Sequence, residues 1–261
     1  MSDRTPGVSR GIGTPGATPV EDGINFAVVS EHADRVDVCL FDDQGERERL
    51  RVPLTRISDG MFAGLVHGIG VGAHYGFRAD GPHDPQQGHW FDPAKLLADP
   101  YAKALDRPFI YRAELAAPRS AALDTAAFMP KAVVAAASQP ASQRTPRPAA
   151  FIYEVSVRAF THDHPDVPLA LRGTIAGLAG PAIIEHLVKL GVRTVELMPI
   201  AAAIDERHLA ALGLSNAWGY NPAAFMAPDP RLAPGGLGEV CATVAALHAA
   251  DIAVVLDAIF N

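Results

Sequence analysis

Three acids occur at comparable places in the C-terminal half of the sequence: Glu154 in "FIYEVSV" (151–157), Glu196 in "RTVELMPI" (193–200) and Asp257 in "IAVVLDAI" (252–259). Each is the only acid of an otherwise apolar, strand-like run. A carboxylate in such a run has two uses. It can be a structural hydrogen-bonding group held by an arginine or a backbone amide. Alternatively, it can point into a site at the carboxyl end of its strand, where parallel α/β folds bind ligands. Asp257 sits late in its strand and is the best candidate for the second use. His162, Asp163 and His164 have the residue types of a metal pair. Cys39 and Cys241 lack CxxC spacing and read as ordinary buried thiols, with neither metal nor disulfide implied.

The elements that must position these acids alternate in type. "PAIIEHLVKLG" predicts a helix, with Pro181 in its first turn, Ile183, Ile184, Leu187 and Leu190 on one face and Gly191 as its stop. "EVCATVAALHAA" predicts another, with Val240, Val244 and Leu247 on one face. Apolar strands alternating with helices belong to a parallel sheet, in either a doubly wound fold or a (β/α)8 barrel. Residues 20–110 have a different rhythm. Ile24, Phe26 and Val28 alternate in one run and Val36, Val38 and Leu40 in the next, with Asp-Gly and Gly-rich turns between, which reads as an antiparallel β-sandwich. The Ala/Pro/Ser-rich stretch between the halves lacks sustained periodicity. The predicted organisation is a sandwich over 1–113, a connector over 114–150 and a parallel α/β part over 151–261.

At 261 residues and 49% hydrophobic, the chain can bury a substantial core. Its net charge of −7 includes no long run of one sign, which argues against nucleic acid and anionic membranes as partners. No window is apolar over a membrane-spanning length, and "MSDRTPGVSR" leads into no apolar stretch, so the expectation is a soluble, cytoplasmic protein.

Several ordered stretches resemble glycoside hydrolase family 13, and within it the glycogen-debranching and isoamylase group. They are "GHWFDPAKLLADPYAKAL", "HPDVP", "RGTIAGLAG", "LGVRTVELMPI", "GLSNAWGYNP" and "LHAADIAVVLDAIFN". The resemblance implies an immunoglobulin-like sandwich of carbohydrate-binding module family 48, followed by the first three βα units of a (β/α)8 barrel. It also implies hydrolysis of α-1,6 branch linkages in glycogen or related α-glucans by a retaining mechanism, which uses two carboxylates about 5 Å apart. In the family the nucleophile and the acid follow the fourth and fifth barrel strands. The expectation is therefore that neither is among these residues, that the sequence is an N-terminal portion, and that it is inactive by itself.

Residue by residue, "LDAIFN" matches the family's first conserved region, with Asp257 and Asn261 in two of its places. Asp257 would brace the subsite at the cleaved glucose. "WGYNP" supplies Tyr220 as the ring lying against that glucose, with Trp218 beside it, since an aromatic face suits the C–H face of a sugar. Trp90, Tyr75 and Phe91 offer a possible platform on the sandwich, where packing is the alternative use. The family match turns the His-Asp-His segment into a loop. Calcium is left open and no other cofactor is implied. The sequence departs from the family's usual residues at Ser156, Ile175, Gly180, Ala201 to Ala203 and Ala217, several of them on the substrate side. Alternatives are a non-catalytic glycan-binding or regulatory protein, a maltooligosyltrehalose trehalohydrolase and a branching enzyme.

Overall fold

The computed structural model describes residues 7–136 and 151–260. They fall into two compact units, divided between residues 138 and 139.

The N-terminal unit is built on strands β1 (Val8–Arg10), β2 (Gly16–Val20), β3 (Gly23–Val29), β4 (Arg35–Phe41), β5 (Glu48–Pro53), β6 (Thr55–Ser58), β7 (Met61–His67) and β8 (His74–Asp80). A short pair, β9 (His83–Asp84) and β10 (His89–Trp90), and a late strand, β11 (Ala132–Val133), complete it. One antiparallel sheet runs β1-β7-β3-β2 with β6 added to β7, and the other runs β11-β8-β4-β5. The alternating apolar residues meet in the core as expected: Ile24, Phe26, Val36 and Val38 are at most 2% exposed. Phe26 packs on Tyr75, with ring centroids 4.9 Å apart.

The opposite faces are buried as well, which simple alternation does not predict. Asn25 clasps the preceding chain: its Oδ1 accepts from the Ile12 amide at 2.7 Å and its Nδ2 donates to the Ile12 carbonyl at 3.1 Å. Cys39 and Phe41 on β4 are covered by Leu96, Ala126 and Met129. Residues 114–136, expected to open the connector, instead run along the sandwich. Among the contacts that hold them there, β11 pairs with β8, Asp124 pairs with the buried Arg78 at 2.8 Å and Arg119 pairs with Asp80 at 3.1 Å. The rest of the expected connector, 137–150, lies outside the described residues.

In the C-terminal unit, β12 (Ile152–Val155), β13 (Thr194–Leu197) and β16 (Ala253–Leu256) form a parallel sheet in the order β12-β13-β16. Helices α1 (Val157–His162), α2 (Pro181–Lys189), α3 (Arg207–Ala211) and α4 (Gly236–Ala249), and an antiparallel pair, β14 (Ala201–Ala203) with β15 (Pro222–Pro228), complete it. The expected strand 151–157 stops at Val155 because Ser156 caps α1, its Oγ accepting from the Ala159 amide at 3.4 Å. Gly191, at φ 75°, ends the α2 region in the left-handed conformation that its lack of a Cβ permits.

Val155, Val195 and Leu197 face the helices and join Ile183, Leu187 and Leu247 in one core. The other sheet face is open, with Ile152 and Val255 nearly half exposed. Cys39 is buried as expected, but Cys241 is exposed, because it lies on the side of α4 away from the buried Val240, Thr243 and Leu247. Among the described residues no helix is long and apolar enough to cross a membrane.

Candidate functional site

The parallel register aligns Glu154 with Glu196 and with Val255. Side chains alternate along a strand, so Asp257, two residues past Val255, shares the face of the two glutamates. All three acids therefore gather on the open face towards the carboxyl ends of the strands. Asp257 is held there by its amide, which donates to the Leu197 carbonyl at 2.9 Å.

Tyr220 reaches this end from the loop before β15, and its hydroxyl donates to Asp257 Oδ2. The phenol is pushed up to about 12, chiefly because the bond to Asp257 favours the protonated form, with a smaller contribution from the charges of Glu154 and Glu196. Tyr220 therefore stays a neutral donor across the physiological range and fixes the carboxylate's orientation. Gly219, just before it, has φ 79°, and a Cβ there would lie 2.9 Å from the Pro199 carbonyl. The turn that presents Tyr220 thus requires glycine.

Trp218 is 67% exposed, and its indole ring stacks on no other ring among the described residues. Its backbone is fixed by Asn216, whose Oδ1 accepts from the amides of Trp218 and Gly219, both at 2.9 Å. Asn216 in turn donates from Nδ2 to Glu206 and from its backbone amide to Asp205, both at 2.8 Å. The half-buried Arg231 donates to the buried Asp229 at 2.7 Å, with Asp229 2% exposed. Sequence reading missed Asn216 and the Asp229–Arg231 pair. The signal was present in "SNAWG" and "DPR", since Asn two residues before an amide favours a side-chain-to-backbone turn.

Asn261 lies outside the described residues. Tyr75, Trp90 and Phe91 do not form a joint platform: Tyr75 is 1% exposed and donates to the buried Asp99 at 2.6 Å, while Trp90 is 68% exposed. Tyr75 is core because its strand faces the other sheet. His162 ends α1, bonded to Asp163 at 2.8 Å, and no group of three or more His, Cys, Asp or Glu converges to hold a metal among the described residues.

Three hollows surround this end of the sheet. One, of about 190 Å³, is apolar, with Phe225, Leu256 and Phe260 among its walls and Asp257 as its single ionisable residue. A narrow one, of about 40 Å³, passes Trp218, Gly219 and Asp229. A wider cleft, of about 310 Å³, opens between α1 and Ala217. Rigid aromatic surface beside fixed carboxylates suits a neutral polyhydroxylated ligand better than an anion.

The chain is similar to known proteins over most of its length. Residues 15–102 match the family model described as Carbohydrate-binding module 48 (Isoamylase N-terminal domain). The chain is 46% identical over 251 residues to the glycogen debranching enzyme of Yersinia enterocolitica, and 43% identical over 255 residues to that of Yersinia pseudotuberculosis. Each alignment takes in 92% of this chain but 38% of the relative. Among solved structures, the pullulanase of Paenibacillus barengoltzii, in complex with maltohexaose and α-cyclodextrin, superposes with a TM-score of 0.67 at 20% identity. That match covers 95% of this chain and 38% of the pullulanase. The pullulanase of an Anoxybacillus strain, complexed with maltotetraose, gives 0.66 at 22% identity, covering 93% of this chain and 34% of that one. At these identities the structural likeness concerns the fold. The chain spans little more than a third of the length of the relatives it matches.

Proposed function

We propose that this chain, as a relative of the glycogen debranching enzymes, is the substrate-positioning part of an α-1,6-glucan debranching hydrolase. Its N-terminal unit is a carbohydrate-binding-type sandwich. Residues 151–261 are the first three βα units of a (β/α)8 barrel, with a connector between the two. The substrate class is glycogen or a related branched α-glucan. The observation that carries the reading is the bond from Tyr220 to Asp257 at the carboxyl end of the parallel strands, with Glu154 and Glu196 on the same face.

In this reading Tyr220 stacks on a glucose ring while its hydroxyl orients Asp257, which accepts from a sugar hydroxyl. Trp218 offers a second apolar plate at the rim. Asn261 is a further support residue. None of these attacks the glycosidic bond: the nucleophile and acid of the retaining mechanism are assigned to no residue of this chain. The expected outcome is that purified 1–261 co-sediments with glycogen, more weakly in Tyr220→Ala and Trp218→Ala, and releases no reducing ends from pullulan. Co-sedimentation insensitive to both substitutions, or hydrolysis by the chain itself, would overturn the assignment.

A further inference from the structure

The loop that carries Tyr220 is held on both flanks by two adjacent residues just past the end of β14. On one flank the Ile204 amide donates to the Asn221 carbonyl at 2.8 Å, and Asn221 Nδ2 donates back to the Ile204 carbonyl at 3.3 Å. On the other, Asp205 Oδ1 accepts from the Asn216 amide at 2.8 Å, and Asn216 Oδ1 accepts from the amides of Trp218 and Gly219 at 2.9 Å. The place of Ile204 and Asp205 therefore governs the place of Tyr220.

Asp229 and Arg231, just past β15, grip that same stretch. Asp229 Oδ2 accepts from the Ala203 amide at 3.3 Å, and Arg231 Nη2 donates to the Ala203 carbonyl at 3.4 Å. Arg231 Nη1 reaches Asp205 Oδ1, the oxygen that holds the Asn216 amide, at 3.4 Å. The guanidinium can meet these acceptors together because its plane is locked: Nε and Nη2 donate to the two carboxylate oxygens of Asp229 at 3.0 and 2.7 Å. Asp229 is fixed in its turn, its carboxylate by the Arg231 amide at 2.8 Å and its own amide by the Ile200 carbonyl at 2.8 Å.

We infer that Arg231 is a positioning residue for Tyr220: seated on Asp229, it holds Ala203 and Asp205 so that the turn through Asn216 and Gly219 delivers the phenol to Asp257. Its bearing on ligand binding rests on the reading of Tyr220 as a glucose-binding ring. The side chains of Asp229 and Asp205 are only 3% and 13% exposed, so the cation between them also offsets the repulsion of two poorly solvated carboxylates. One planar fork serves two carboxylates and a carbonyl, which the compact ammonium of lysine cannot reproduce. Arg231 needs no contact with a sugar to act in this way.

The test uses 1–261 carrying isotopically labelled tyrosine, read at neutral pH as the Tyr220 Cζ resonance and assigned by its loss in Tyr220→Phe. Maltotriose affinity is measured beside it by titration calorimetry. Arg231→Lys, which keeps the charge and loses the fork, is expected to move the resonance towards that of a phenol without a carboxylate partner and to weaken maltotriose roughly tenfold. Asp205→Ala, which removes the group through which Arg231 acts, should do the same and keeps the test valid if Arg231→Lys fails to fold. An ion pair that only stabilised the unit would lower the urea midpoint and leave the resonance in place. A resonance unmoved in either folded variant thus overturns the positioning role and leaves the Tyr220 reading intact. A resonance that moves as expected while maltotriose affinity stays unchanged, or while the parent binds no maltotriose, upholds the positioning of Tyr220 and overturns its reading as a glucose-binding ring.

Discussion

Replacing Arg78 with methionine should destabilise the N-terminal unit by about 3 kcal/mol. The Arg78 side chain is 2% exposed and works as a clamp. Nη1 donates to the carbonyls of Ala94 at 2.8 Å and Pro93 at 3.2 Å, and Nη2 donates to Asp124 at 2.8 and 2.9 Å and to Glu48 at 3.2 Å. These bonds fasten segment 93–124 to the face of the second sheet.

Methionine keeps most of the stem's volume, so the cavity contribution is small. Asp124, 62% exposed, rehydrates once its partner is gone, and Glu48 keeps Arg51 at 2.7 Å. Pro93 is exposed and the Ala94 carbonyl keeps the Thr125 amide at 3.2 Å, so what dominates is the loss of the buried guanidinium's charge-assisted bonds, at about 1.5–3 kcal/mol. Arg78 Nε has no partner in the native state, and its removal returns a small part of that. The sum lies at the lower end of the roughly 3–5 kcal/mol typical of breaking a buried ion pair. It is a large share of the roughly 5–15 kcal/mol that holds a domain folded.

Urea denaturation of the whole chain, followed through the sandwich's own transition, measures this effect. Asp124→Asn is the control and should cost no more than about 1 kcal/mol, because that carboxylate is largely in water. A midpoint for Arg78→Met within about 0.5 kcal/mol of the parent refutes the clamp. Equal costs for the two variants would assign the effect to the ion pair and not to the carbonyls.

The pH dependence has a definite sign. Burial, with help from Arg107, pushes the Lys131 ammonium down to about 8. Unfolded lysine titrates near ~10.4, so between about pH 8 and 10 the unfolded chain binds more protons and Lys131 makes stability rise with pH. Cys39, pushed up to about 12 by burial, acts in the opposite direction, so the readout is the difference between the parent and Lys131→Met at pH 8 and pH 10. That difference should shift in the parent's favour at pH 10, and a constant difference would contradict it. A thiol reagent should modify Cys241 promptly and Cys39 only on unfolding, giving one reactive thiol per native chain. Gly219→Ala forces a Cβ against the Pro199 carbonyl at positive φ, with a cost of about 1–3 kcal/mol at the loop that carries Tyr220. Maltotriose affinity should fall with it in titration calorimetry, and unchanged affinity would free the loop from that constraint.

Much of this was legible in the sequence, for identifiable reasons. The helix over Pro181–Lys189 carries its own start, stop and apolar face, so Ile183 and Leu187 are buried as the spacing requires. Period-two alternation gave the inward face of β3 and β4. It did not reveal that Asn25, Cys39 and Phe41 are also covered, because the covering segments come from residues about 13 to 90 positions away. Cys241 looked like a core residue because composition ranks cysteine among buried types, whereas its place on α4 turns it to solvent. At the site, Asp257 stood out as a late acid in an apolar strand. The cleft beside α1 depends on where Ser156, Arg158 and Ala217 meet, and no local pattern encodes that meeting.

The most direct test of the central claim is an NMR titration of isotopically labelled 1–261 with maltotriose. Perturbations concentrated on Tyr220, the Trp218 indole and Asp257, and lost in Tyr220→Ala, are the predicted result. Perturbations confined to the N-terminal unit, for example around Trp90, or none at saturating sugar, would contradict a glucan subsite at the carboxyl end of the parallel strands.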